Sequence, residues 1–229
     1  MELRSEFVRI EAGDALLWGD LTLPRSPLGL VLFAHGVGSS RHSPRNRLVA
    51  EHLRAAGLGT LLFDFLTLGE WSRARLAPVT HDRLTHRLLA TTAWALREPA
   101  TSGLPIGYFG AASGVAEALA AAATRPDIVR AVVCRGGRPD RVADRLEHVT
   151  APTMLVVGEL DAVSLAMNQQ SATELGGPWE LAMVEGAGHL FQEPGTLEEV
   201  ARLTVRWFGR HLPTTHVAAS GDSHARRYP

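Results

Sequence analysis

Five residues, Gly110-Ala111-Ala112-Ser113-Gly114, separate an apolar run of strand character, Ile106 to Phe109, from an alanine-rich segment of helical character. A chain that turns from strand to helix this tightly has room only for small side chains two places before and two places after the centre of the turn. Centred on position 112, those places hold Gly110 and Gly114; centred on Ser113, they hold Ala111 and Val115. A β-branched side chain fits badly there. The spacing therefore predicts the frame of a nucleophile elbow, Gly-x-Ser-x-Gly, with Ala112 at its centre and Ser113 beside it. A methyl group occupies the place of the attacking hydroxyl.

The rest of the chain repeats the alternation that surrounds this turn. Two strands, Glu6 to Glu11 and Ala15 to Leu23, form a hairpin around Gly13-Asp14. The continuous apolar run Gly29 to Ala34 has the length of a strand covered on both faces. A helix is expected from Pro44 to Ala56, stopped by Gly57, and then a strand from Gly59 to Phe65. Residues Glu70 to Val79 read as a loop and Thr80 to Arg97 as a helix. After the elbow come a helix from Gly114 to Thr124, a strand from Ile128 to Cys134, and a short helix from Asp140 to Glu147. Strand Thr153 to Val157, helix Leu165 to Leu175, strand Glu180 to Val184 and helix Thr196 to His211 complete the series. Such alternation predicts an α/β architecture with a largely parallel sheet between helices. One domain over residues 1–213 is expected, with a disordered tail over 214–229 that has no apolar period.

Composition narrows the function classes. With 23 basic and 24 acidic residues the formal net charge is -1, which speaks against wholesale binding to nucleic acid or a membrane surface. A single cysteine, Cys134, excludes an intramolecular disulfide and a thiolate metal cluster. No apolar run approaches a membrane span, and the start of the chain lacks a basic segment leading into an apolar one. The expectation is a cytoplasmic protein without metal or organic cofactor that acts on a small-molecule or acyl substrate. Its oligomeric state is left open.

Ligands of an open α/β sheet gather beyond the carboxyl ends of the strands. Four suggestive segments fall there: the elbow, Gly158-Glu-Leu-Asp161, Gly186-Ala-Gly-His189, and the loop His35-Gly-Val37-Gly. A serine hydroxyl needs a base to take its proton, an imidazole serves near neutral pH, and a carboxylate fixes the tautomer of that imidazole. Two backbone N–H groups must face the developing oxyanion, and the candidates are those of Val37 and Ser113. His35 reads as a structural support for its loop rather than a second base, and Cys134 as a small core residue.

The chain resembles the α/β-hydrolase superfamily, and within it the small dienelactone-hydrolase-like proteins. The likeness rests on residues 35–46, Phe63 to Thr67, Gly110 to Gly114, Arg135 to Asp140, Gly158 to Asp161 and Gly186 to Pro194, and covers about Ser5 to Leu212. It implies a mostly parallel eight-stranded sheet and hydrolysis of an ester, lactone or related acyl bond. It also implies a triad at position 112, Asp161 and His189. Related proteins carry serine at the elbow centre, or cysteine in dienelactone hydrolases proper, so Ala112 departs from the pattern at its decisive place. Losing such a nucleophile costs on the order of a million-fold in turnover. Either a serine was replaced deliberately, or the chain is a natural pseudoenzyme that binds without catalysis; retention of Asp161, His189 and both glycines favours the former. An acyltransferase or thioesterase would use the same triad.

Four arginines stand near these segments: Arg41 and Arg45 after the first loop, Arg135 and Arg138 after the strand ending at Cys134. They read either as surface charges paired with acids such as Asp64 and Glu193, or as a grip on a substrate carboxylate or phosphate. Only seventeen residues separate Cys134 from Pro152, too few for a large cap domain over the site.

Overall fold

The structure is a computed structural model that describes residues 2–36, 38–73, 76–77 and 79–212. The tail from Thr214 and the oxyanion candidate Val37 lie outside the described residues.

Among the described residues fifteen elements follow one another: β1 (Leu3–Glu11), β2 (Leu16–Pro24), β3 (Leu30–Ala34), α1 (Pro44–Ala55), β4 (Gly59–Phe63), α2 (Leu68–Arg73), α3 (His81–Arg97), β5 (Ile106–Ala111), α4 (Gly114–Thr124), β6 (Val129–Arg135), a 3-10 segment (Pro139–His148), β7 (Thr153–Gly158), α5 (Ala162–Ala172), β8 (Trp179–Val184) and α6 (Thr196–His211). The strands form one eight-stranded sheet in the order β1-β2-β4-β3-β5-β6-β7-β8. The pairs β1/β2 and β2/β4 are antiparallel, and the pairs from β4/β3 through β7/β8 are parallel. The expected mostly parallel sheet is what the chain builds.

Strand geometry explains the two-sided core. Successive side chains alternate between faces, so Leu30, Leu32 and Ala34 of β3 pack toward α3 and α4, whereas Val31 and Phe33 pack toward α1 and α6. Tyr108 and Phe109 of β5 divide in the same way. Both faces are covered, so the central strands β3, β4 and β5 are predominantly apolar and buried at every position. No helix among the described residues is long and apolar enough to cross a membrane.

One segment departs from expectation. The expected loop from Glu70 to Val79 begins instead inside a helix, α2, over Leu68–Arg73. None of its residues is buried, so no apolar period betrays it. Its signal is a capping box: Glu70 N–H donates to Thr67 Oγ1 at 3.3 Å, and Thr67 N–H donates to Glu70 Oε2 at 2.9 Å. The helix expected at Asp140 to Glu147 is instead a 3-10 segment kinked at Val142, and α5 starts three residues earlier than expected, at Ala162.

Arg87 of α3 ties this side of the molecule together. With none of its side chain exposed, it donates to the Phe65 carbonyl at 2.7 Å and to both carboxylate oxygens of Glu70 at 2.8 Å. It also donates to Asp14, in the β1–β2 turn, at 3.0 Å and 3.2 Å. α2 is thereby anchored to α3 and to the hairpin.

Candidate active site

The elbow is built by steric demand. Ala112 adopts φ 53°, in the left-handed region that L-residues other than glycine seldom enter. Ser113, at φ -63°, is already helical and stands as the N-cap of α4. A Cβ on Gly110 would meet Val115 Cα at 2.9 Å, and one on Gly114 would meet the Ala34 carbonyl oxygen at 2.1 Å. The strained residue is therefore Ala112, and glycine is required at both flanking places. Held strain at one residue is characteristic of functional turns.

Gly36, in the loop after β3, completes the floor. A Cβ added there would stand 3.1 Å from Ala112 Cβ and 3.3 Å from Ser113 N. A glycine at this place keeps the space beside the Ser113 amide open to a small atom. The neighbouring His35 sets the loop: its Nδ1 donates to the Gly36 carbonyl at 3.0 Å and its Nε2 accepts from Phe65 N–H at 3.4 Å. Burial pushes its pKa below the ordinary value, against the raising effect of the Gly36 carbonyl, the Asp64 charge and the Phe63 backbone. His35 is thus a neutral strut, with both nitrogens committed.

The acid and the histidine meet across two loops. β7 ends in Gly158, where a Cβ would lie 2.4 Å from the Ala187 carbonyl oxygen, so glycine lets the acid loop and the histidine loop touch. Leu160 N–H then donates to the Ala187 carbonyl at 2.9 Å, and Glu159 N–H to that of Val184 at 3.0 Å. Asp161 caps α5, its Oδ1 accepting from Ser164 N–H at 3.2 Å. Its Oδ2 lies 2.6 Å from His189 Nδ1. Burial alone would raise the pKa of Asp161; the hydrogen bonds from Ser164 and His189 outweigh it and hold the carboxyl below its ordinary value. With Nδ1 engaged by the carboxylate, Nε2 of His189 is the nitrogen available to take a proton. The histidine side chain is 53% exposed and the aspartate 14%, so the pair opens to solvent on the imidazole side.

Two glycines carry the chain between elbow and histidine. Gly137 packs so closely that a Cβ would lie 2.6 Å from the Ala112 carbonyl oxygen, and one on Gly136 would lie 3.1 Å from that of His189. The elbow and both loops therefore converge at the carboxyl edge of the sheet. A cavity of about 330 Å³ lies between the loop after β3 and α2, lined by His35, Ser39, Asp64, Leu66, Leu68 and Trp71 among others. α2 and Gly36 were not singled out from the sequence; the Thr67-x-x-Glu70 pattern could have found the former.

The four arginines divide. Arg41 pairs with Asp64 through its guanidinium and its own N–H, the latter at 2.8 Å. Arg138 holds Asp140 with two bonds of 2.8 and 2.6 Å. Arg45 and Arg135 have no acidic partner among the described residues. Cys134 is fully buried, and burial pushes its thiol pKa far up, which leaves it unsuited to attack. Among the described residues, no three His, Cys, Asp or Glu side chains gather as a metal site.

Comparison with known proteins agrees with this fold. The solved structure of dienelactone hydrolase from Anabaena variabilis is 46% identical, superposes with a TM-score of 0.90, and covers 93% of this chain and all of that one. Est1E from Butyrivibrio proteoclasticus with ferulic acid bound shares the fold at a TM-score of 0.76 and 17% identity, over 90% of this chain and all of that one. A protein of Mycobacterium tuberculosis named "Putative phosphoribosyl transferase" is 51% identical over 210 residues, 92% of this chain; the chain spans about half, 47%, of its length. The family model for the alpha/beta hydrolase domain matches residues 28–202. By that match, and by its eight-stranded sheet with the elbow at its centre, the chain belongs to the alpha/beta hydrolase domain family.

Proposed function

We propose that this is the scaffold of a serine hydrolase of the dienelactone-hydrolase-like type, acting on an ester or lactone, and that Ala112 stands where its nucleophile belongs. One observation carries the reading: a left-handed Ala112 at the elbow in a molecule that still pairs Asp161 with His189 at 2.6 Å. With serine at position 112, His189 Nε2 takes the hydroxyl proton as the oxygen attacks the acyl carbon. The tetrahedral oxyanion is held by the amides of Ser113 and Val37. The proton passes to the leaving alkoxide, and water, activated by the same imidazole, releases the acid. With alanine, none of this can begin, and the chain as written binds without turning over.

The test is hydrolysis of short-chain p-nitrophenyl esters and simple lactones by the chain and by its Ala112→Ser variant. The expected result is a silent chain and a variant faster by at least about 10⁴-fold. A folded variant that is equally silent on esters, lactones and thioesters sinks the hydrolase reading.

Ala112 itself favours a second reading, a natural binding protein that uses the same cleft without chemistry. Tight ligand binding with no activity in the Ala112→Ser variant would support it. Phosphoribosyl transfer, in the name of a relative about twice as long, is displacement at a sugar carbon, and an elbow with an acid and a histidine has no part in it.

A further inference from the structure

Among the described residues two arginines are buried, and they are treated differently. Arg87 is surrounded by Glu70, Asp14 and the Phe65 carbonyl. Arg135, at the end of β6, is 7% exposed and has no carboxylate partner among the described residues. Its Nη1 is buried without a hydrogen bond among the described residues, and its guanidinium lies over the Phe109 ring, 5.9 Å from the centroid. The charged group that acts on it is another cation, Arg45, in the first turn of α1. Burial, with Arg45 adding to it, pulls the Arg135 guanidinium down to about 10. It therefore keeps its charge at neutral pH without a counter-ion. A charge withdrawn from water is ordinarily paired, because an unpaired one is strongly destabilising.

A second buried group beside Arg45 is also unpartnered. Asn46 is 3% exposed and its Oδ1 has no hydrogen bond. It lies on the same face of α1 as Val49, Ala50 and Leu53, which pack in the layer containing Phe33 and Phe109. Arg135 thus lies over a ring of the layer that α1 covers. The place is next to the reacting centre: Arg135 is the register partner of Ala111, and its carbonyl accepts the Ala112 N–H at 3.1 Å. Buried Arg135 is the group that lacks a counter-ion, and half-exposed Arg45, on the first turn of α1 beside buried Asn46, offers a second cation to any anion that reaches it. A phosphate dianion matches both cations, whereas one carboxylate matches one.

We propose that Arg135 and Arg45 form a subsite for a phosphate group carried by the substrate, so that the ester or lactone cleaved at the elbow is a phosphorylated one. The substrate assignment rests on the hydrolase reading; the phosphate subsite does not. Its test begins with the chain as it is. Thermal unfolding is followed in inorganic phosphate and in sodium chloride and sodium acetate at equal ionic strength, for the chain, Arg135→Met and Arg45→Met. Phosphate is expected to raise Tm by about 3 °C beyond either control, and each variant to lose most of that rise. No rise beyond the controls, or a full rise in Arg45→Met, overturns the subsite; the second variant decides should Arg135→Met fail to fold. In the Ala112→Ser background, the ratio of kcat/KM for a phosphorylated ester over its neutral counterpart is expected to exceed about tenfold and to collapse in Arg45→Met. An active variant with no such preference overturns the substrate assignment and leaves the hydrolase reading standing. Phosphate binding in a chain that stays silent as Ala112→Ser does the reverse.

Discussion

Gly114 and Ala34 are in backbone contact across the first turn of α4: a Cβ on the glycine would stand 2.1 Å from the alanine carbonyl oxygen. Backbone cannot yield as a flexible side chain can. Gly114→Ala is therefore expected to destabilise by more than about 3 kcal/mol or to prevent folding. Ala112→Gly should act in the opposite sense. It relieves a left-handed alanine, a conformation that costs roughly 1–2 kcal/mol in an L-residue, offset in part by the greater freedom of glycine in the unfolded chain. Urea unfolding of the two variants checks both signs. A tolerated Gly114→Ala would mean that the elbow is placed differently.

Asp161 has two tasks that one substitution separates. It caps α5 through Ser164 N–H and orients His189. Asparagine caps a helix as well as aspartate does, but its amide cannot stabilise an imidazolium. In the Ala112→Ser background, Asp161→Asn should leave Tm within about 2 °C and lower kcat on the order of 10⁴-fold. A loss of fold together with activity would show that the carboxylate is structural first.

Much of this was legible in the sequence, for a physical reason. The sheet was readable because strands covered on both faces must be apolar throughout, as β3 and β5 are. The turn at Ala112 and the loops that bring Asp161 to His189 were readable because glycines are forced wherever backbones touch, as at Gly110, Gly114 and Gly158. α2 was not, because all of its residues lie outside the core and its visible support is polar: a capping box and the grip of Arg87. Nor could sequence alone tell paired from unpaired arginines. Arg41 and Arg135 look alike until the fold sets Asp64 beside one and leaves the other without an acid.

The grip on α2 should fail in acid. Arg87 heads the causes that hold both Asp14 and Glu70 down to about 2, below their ordinary 3.8 and 4.5. A carboxylate whose folded pKa is depressed adds stability above its unfolded value and loses it as pH falls through the folded one. At pH 7, Arg87→Met, which leaves Glu70 half-buried with Arg83 at 3.5 Å as its remaining cation, is expected to cost about 3 kcal/mol. As pH falls from about 5 to about 2, the chain should lose stability more steeply than the variant, and the gap should narrow. Urea unfolding of the two proteins at pH 7, 4 and 2.5 tests this; a constant gap would show that Arg87 acts by packing alone.

Glu117 shows the opposite sign. It is buried on α4, and burial pushes its pKa up against the lowering effect of His81. Arg141 donates to His81 Nε2 at 3.1 Å, so Nδ1 carries the proton that reaches Glu117 Oε1 at 2.5 Å, while Oε2 has no partner. A carboxyl that binds its proton more tightly when folded loses stability as pH rises from its unfolded value through the folded one. Glu117→Gln keeps an acceptor for His81 and removes the buried charge. It should match the chain near pH 4 and exceed it by about 1 kcal/mol at pH 8. Urea unfolding at the two pH values decides: a variant weaker at pH 8 would mean that the ionised Glu117, bridged through His81 to Arg141, stabilises α4 more than burial of its charge opposes it.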